Sequence, residues 1–193
     1  MERCRKICRC GRSFENNFKR DTKIGVIQKV GRGRRLVRSQ LKKWGGYPVY
    51  QNSMVPLGYY DDTNCESHSV FIIAAGSAGE IGFSDTAFWA ADDCYYFKHC
   101  SELCQKYLYY ALLREQDYLR IQSRRTSIPR LSRDVIDDLQ LSLPLIDEQQ
   151  AIADVLTAMD DEIKALEDER NKMIQIREGA MDDLLTGRVR LAV

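Results

Sequence analysis

At 193 residues and 44% apolar content, the chain is long enough for one large domain, or for a medium domain with an appendage. It contains no run of 18 apolar residues, and its basic start, Met1 to Lys6, is not followed by an apolar stretch. Neither a membrane span nor a secretory signal is supported, and a cytoplasmic location is expected. The net charge of +1 conceals a division: residues 1–45 hold 15 Lys and Arg against 3 Asp and Glu, and the remainder holds 14 against 25, so one end suits a polyanion and the other a protein partner.

In chain order, residues 1–22 combine three cysteines with many arginines and show no clear period, which reads as a poorly ordered basic lead-in. Order is expected from Lys23. Ile24 to Val30 is β-prone, and Gly31, Gly33, Gly45, Gly46 and Pro48 mark turns. Further short strands are predicted at Tyr47–Tyr50, Gly58–Tyr60, Ser69–Ala75, Glu80–Phe83 and Cys94–Lys98. Short aromatic and β-branched runs at close intervals, broken by Gly and Asp-Asp, indicate an α+β domain with a curled, mostly antiparallel β-sheet and packed helices.

Ser101 reads as the N-cap of a helix that turns Leu103, Tyr107, Tyr110, Leu113 and Leu119 toward the sheet. Gln122 to Thr126 is a polar, basic loop. Ser132 then caps a short helix through Asp138, and Leu139 to Leu143 forms a strand stopped at Pro144.

Asp147 and Gln150 have the spacing of a capping box, and the helix they open runs to Leu185, roughly 58 Å at about 1.5 Å per residue. Gly179, which costs on the order of 1 kcal/mol relative to Ala, marks a place for a bend, and Gly187 a natural stop. Steps of four and three give Ile152, Leu156, Met159, Ile163, Leu166, Arg170, Met173, Arg177, Ala180 and Leu184. This stripe of large apolar residues, interrupted by two arginines, is a coiled-coil seam that calls for a partner helix. The predicted organisation is a lead-in at 1–22, a compact domain at 23–146 and a long helix at 147–193.

The segment IPRLSRDVIDDLQLSLPLIDEQQAIADVLTAMDDEIKALE (128–167), followed by LLTGRVRL (184–191), resembles the specificity subunits of type I restriction-modification systems. Three features join in order: an I-P-x-L-S turn, an L-P-L-x-x-E-Q-x-A-I-A helix start, and an L-L-T-G-x-x-R-L terminus. Upstream, YPVYQNSMVPLGYYDD (47–62), GSAGEIGF (76–83) and FWAADDCYYF (88–97) are similar to the family's target recognition domain. The resemblance covers residues 23–191.

It implies a recognition domain that reads one half of a split double-stranded DNA site, and a helix that acts as spacer and as dock for modification (methyltransferase) subunits, with the restriction subunit completing the complex. A complete specificity subunit carries two such domains and two helices, whereas this chain has one of each. The implied protein is a half-subunit that forms a homodimer through residues 147–190, or one half of a divided gene. The alternative is a fragment or silent cassette that acts as a coiled-coil interaction protein and reads no DNA.

Phosphate contacts position a protein on DNA, and contacts to base edges specify sequence. Arg32, Arg34, Arg35, Arg38, Lys42, Lys43, Arg124 and Arg125 are the candidates for phosphate, with Thr126 in the same basic loop. Gln51, Asn52 and Ser53 can make the bidentate amide contacts that distinguish adenine, and equally can form an ordinary polar turn. Arg124 or Arg125 suits guanine. Gly76 and Ser77 suit either a close backbone approach to DNA or a tight hairpin. A phosphate loop is excluded because Gly79 is followed by Glu80 and Ile81 instead of Lys and Ser or Thr.

The seam residues Ile152, Leu156, Met159, Ile163, Leu166, Met173 and Leu184 are the candidates for partner binding. Tyr107, Tyr109 and Tyr110 can stack on bases, although helical spacing favours core packing for Tyr107 and Tyr110. The cysteines lack C-x-x-C pairs and read as reduced thiols; His99 with Cys100 and Cys104 is a weak metal candidate, and no metal or cofactor is expected. No methyltransferase or nuclease motif is found in the sequence, so the chain reads as non-catalytic.

Overall fold

A computed structural model describes residues 19–123 and 129–191. The chain divides into two compact units, Met1–Ile152 and Ala153–Val193.

The elements in chain order are β1 (Lys19–Lys23), the single-turn helix α1 (Ile24–Ile27), β2 (Gly31–Arg32), a 3-10 turn at Arg38–Gln40, β3 (Tyr47–Tyr50), β4 (Gly58–Tyr60), β5 (Ser69–Ile73), β6 (Ile81–Ser84), β7 (Trp89–Ala90) and β8 (Cys94–Tyr96). There follow α2 (Gln105–Arg114), α3 (Gln116–Ser123), α4 (Arg133–Asp137), β9 (Gln140–Leu143) and the long α5 (Ile146–Leu185). The strands form three open sheets, ordered β1-β9, β2-β8-β5-β6 and β4-β3-β7. All pairs are antiparallel except β3 with β7. The class is therefore the expected α+β fold with mostly antiparallel sheets.

β5 explains where the core sits. Successive side chains of a strand point to opposite faces, and all five residues of Ser-Val-Phe-Ile-Ile are buried. Val70 and Ile72 join Leu108, Leu112, Leu119 and Ile136 in the larger core on the helical side. Phe71 and Ile73 face the other way, into a smaller core with Cys65, Phe88 and Cys94. There Tyr50 stacks on Phe71 at 4.5 Å between ring centres, so β3 of the β4-β3-β7 sheet closes over that core.

Four expectations of the sequence change. Ile24–Ile27 is helical, not the start of a strand, because Ile24 is buried and its N–H donates to the Leu139 carbonyl at 2.9 Å, which turns the chain inward. β1 begins at Lys19, so Lys19–Thr22, placed by the sequence in the lead-in, pair with β9.

Ser101 is not the cap of α2. Cys104 takes that place, and the start of the helix is pinned by Gln105, which accepts from Val70 N–H at 3.2 Å and donates to the Lys98 carbonyl at 3.0 Å. The buried stripe is Leu108 and Leu112, flanked by Tyr107 and Leu113; Leu119 belongs to α3. Finally, α5 begins at Ile146. The Leu145 carbonyl accepts from Glu148 and Gln149, which places Asp147 in the first turn instead of at a cap.

In the second unit α5 continues through Gly179 and ends at Leu185, with Gly187 at φ +74°. The Gly187 N–H donates to the Leu184 carbonyl, and the Val189 N–H to that of Asp183. These bonds satisfy carbonyls that the last turn of a helix leaves open.

Candidate nucleic-acid interface

The turn between β7 and β8, Ala90 to Cys94, is the hub of the candidate surface. On one side, Gly33 N–H donates to the Cys94 carbonyl at 2.9 Å and Arg34 N–H to that of Ala90 at 3.0 Å. A Cβ at Gly33 would collide with the Ala91 carbonyl oxygen, so the chain can pass this close only with glycine there. Arg32 and Arg34 are left exposed on either side of it, with Arg32 Nε donating to the Asp92 carbonyl at 3.0 Å.

On the other side of the hub, Ala91 N–H donates to the Tyr50 carbonyl at 2.9 Å, and the Cys94 thiol to that of Gln51 at 3.0 Å. The Gln51–Ser53 loop leaves β3 from this point. Its next carbonyl, that of Asn52, accepts from Ser77 N–H at 3.0 Å. Gly76 sits at φ +84°, and a Cβ there would stand 2.5 Å from the Asn52 oxygen. Gln51, Asn52, Ser53, Gly76 and Ser77, selected separately in the sequence, are thus one contiguous site.

Asp93 adds charge to this site. Its carboxylate accepts from Gln51 Nε2 at 3.5 Å and lies 3.9 Å from the Arg130 guanidinium. Arg130 bridges to Ala75 in a two-residue antiparallel contact, next to Gly76. The sequence reading missed Arg130, although it is the variable residue of the I-P-x-L-S turn. Arg124, Arg125 and Thr126 lie outside the described residues. Their neighbour Ser123 donates its hydroxyl to the Ala78 carbonyl at 3.3 Å and accepts from Arg130 N–H at 3.1 Å.

Arg38, Lys42 and Lys43 are not part of that cluster. They line an open groove of about 650 Å³ with Val55, Leu57 and Tyr59, where Lys42 bridges to Tyr59 along the side of β4 away from β3. Lys42 pairs with Asp61 at 2.7 Å. Arg35 is exposed on the loop between β2 and the 3-10 turn.

Other constellations do not make a reactive centre. Ser69, His99 and Glu66 stand in the order of a nucleophile, base and carboxylate at 2.9 and 3.8 Å, but Ser69 is only 1% exposed and out of a substrate's reach. Burial pushes the Cys65 thiol up to about 12 and also raises Cys94, where the Asp93 charge adds to it, so both stay protonated and inert. Among the described residues no three His, Cys, Asp or Glu side chains gather to hold a metal ion, and His99, Cys100 and Cys104 do not converge.

The tyrosines serve the fold. Tyr107 donates to the Ser142 carbonyl at 2.6 Å, while Tyr109 and Tyr110 surround the Lys106 ammonium, which sits 4.2 Å over Phe83. No helix of the described residues is long and apolar enough to cross a membrane.

Along α5, Met159, Ile163, Leu166, Met173 and Leu184 are 53, 54, 59, 57 and 42% exposed, and Ile152 and Leu156 are half-buried. Ile174 and Met181 are exposed beside Met173 and Ala180. The stripe therefore widens where Arg170 and Arg177 interrupt it.

The chain is similar in sequence and in fold to known proteins. The model of the type I restriction modification DNA specificity domain matches residues 18–175. A Mycoplasma pneumoniae protein carrying the name type I specificity subunit S.MpnORF201P is 28% identical over 165 residues, 83% of this chain and 66% of its own length. The type I restriction enzyme MpnII specificity subunit of the same organism is 27% identical, over 83% of this chain and 48% of its own. The chain thus spans about half to two thirds of the length of these relatives.

Two solved structures share the fold. The S subunit of a type I restriction-modification system from M. genitalium superposes with a TM-score of 0.69 at 22% identity, over 89% of this chain and 46% of its own. The HsdS subunit from Thermoanaerobacter tengcongensis gives 0.63 at 14% identity, over 90% and 46%. With a family model matching well over half of its residues, the chain belongs to the type I restriction modification DNA specificity domain family.

Proposed function

We propose that the chain is a half-length specificity subunit that reads one half of a split double-stranded DNA site and itself catalyses nothing. Residues 23–146 are the recognition domain, and residues 147–193 the spacer and dock for modification subunits, with a restriction subunit joining the complex. Two copies pair through the seam of α5 and set two identical readers on an interrupted palindrome, the symmetry of the protein mirrored in its site.

The observation that carries this reading is the convergence on the Ala90–Cys94 turn. An amide loop capable of bidentate base contact, Gln51–Ser53, and the close-approach turn Gly76–Ser77 meet there beside the exposed Arg32 and Arg34. Amide side chains specify, and cations around them anchor to phosphate.

Duplex binding measured across a range of salt concentrations tests the reading. If the six described cations Arg32, Arg34, Arg35, Arg38, Lys42 and Lys43 all meet phosphate, log K falls against log salt with a slope of about −5 per chain. A chain that bound no duplex, or bound it without salt dependence, would be an interaction protein instead.

A further inference from the structure

We infer that Trp44 is an aromatic DNA contact, and that the basic groove beside it, along the side of β4 away from β3, is a second surface for the same duplex. This rests on the proposal that the chain binds duplex DNA.

The chain has two tryptophans, and the fold treats them differently. Trp89 donates its indole N–H to the Arg34 carbonyl at 2.9 Å and packs edge-on to Tyr60 at 5.1 Å. Trp44 is 80% exposed. It sits on the loop Lys42-Lys43-Trp44-Gly45-Gly46, whose glycines adopt φ +82° and +74°, and a Cβ on Gly46 would collide with the Tyr60 carbonyl oxygen. The loop is thus a tight, specified turn that holds its largest apolar residue in water.

Its surroundings say what covers it. Val37, Tyr47, Val55 and Leu57 are exposed close by in the chain or along the groove, and the groove itself is lined by Arg38, Lys42 and Lys43. Apolar side chains within a cationic rim suit an occupant that offers both an apolar face and a dense row of negative charge. Duplex DNA does so at its minor groove, where apolar side chains wedge between base steps while lysines and arginines hold the flanking phosphates.

The groove lies close to the reading loop: Leu57 N–H donates to the carbonyl of Val49, two residues before Gln51, at 2.8 Å. The groove is also continuous in sequence with the reading loop, since Gln51–Ser53 runs through Met54 into Val55. One duplex can meet both surfaces.

The experiment titrates the full chain with a labelled mixed-sequence DNA duplex at several salt concentrations, for the native protein, Trp44→Ala and Trp44→Phe, with thermal unfolding of each. Trp44→Ala is expected to weaken binding about 10-fold or more, as loss of a base-stacking aromatic does, with the salt slope and unfolding temperature unchanged. Trp44→Phe should retain most of the affinity. Native binding with a steep salt slope, matched by Trp44→Ala, overturns the inference alone and leaves this face to a protein partner. Absence of duplex binding by the native chain overturns the DNA-reading proposal and this inference together.

Discussion

Gln149 accepts a hydrogen bond from the backbone N–H of Cys104 at 2.9 Å, across 45 residues of chain. Its Nε2 donates to the carbonyls of Glu102 and Pro144, each at 3.0 Å, and the side chain is 1% exposed. A single amide in the first turns of α5 thus satisfies the N-cap of α2 and the end of the strand that precedes α5. Removing it takes a partner from one buried carbonyl, that of Pro144, and from two part-buried groups, and a buried polar group left unsatisfied costs about 1–3 kcal/mol. Gln149→Ala is expected to lower stability by about 1–3 kcal/mol in urea denaturation. A loss below about 0.5 kcal/mol would mean that water replaces the amide there at little cost.

Gly76 faces the Asn52 carbonyl so closely that even one methyl group forces the two apart, and its φ of +84° disfavours any L side chain. Gly76→Ala is expected to destabilise the protein by about 1–3 kcal/mol and to displace the Gln51–Ser53 loop. Under conditions where the variant is folded by circular dichroism, duplex affinity should fall, because the loop that carries the amide side chains moves. Affinity equal to the native protein would remove this turn from the interface.

The buried thiols predict a pH dependence with a definite sign. Burial holds the proton on Cys65 up to about 12 and raises Cys94 in the same direction, against an ordinary value of 9.0. The folded state therefore binds more protons than the unfolded state once pH passes 9, and stability falls as pH rises from there toward 12. Denaturation midpoints should be flat up to that point and decline beyond it, and a Cys65→Ala, Cys94→Ala pair should decline less. Alkylation of the native protein near pH 8 should label the exposed Cys100 and leave Cys65 and Cys94 untouched.

The exposed stripe of α5 predicts association. Leu156→Asp with Ile163→Asp places two carboxylates on the seam, and each costs several kcal/mol if a partner helix buries it. Sedimentation should show the native chain as a dimer and the double variant as a monomer. A double variant that stays dimeric would place the contact between copies elsewhere.

Period and punctuation made much of the fold legible. The strand at β5, the strand at Tyr47–Tyr50 and the long helix all follow from local pattern, because β-branched and aromatic runs mark the strands and the three-and-four spacing of apolar residues marks the helix. Where a distant partner decides, pattern fails. Ile24–Ile27 curls into a helical turn because the Leu139 carbonyl waits for the Ile24 N–H, and α2 starts at Gln105 because that side chain reaches Val70 and Lys98.

The candidate site divides the same way. Glycine and amide residues pointed to Gln51–Ser53 and Gly76–Ser77, but only the folded chain joins them and separates them from Arg38, Lys42 and Lys43. The I-P-x-L-S turn locates Arg130 in the sequence, but its place beside Asp93 depends on a bridge to Ala75, 55 positions away.

Selection of bound sequences from a random duplex library tests the central claim most directly. The native chain should return two copies of one short motif in inverted orientation, separated by an unspecified gap, and Gln51→Ala should relax one position in both halves with a discrimination loss of about 1–3 kcal/mol. A single uninterrupted motif, or no enrichment at all, would contradict it.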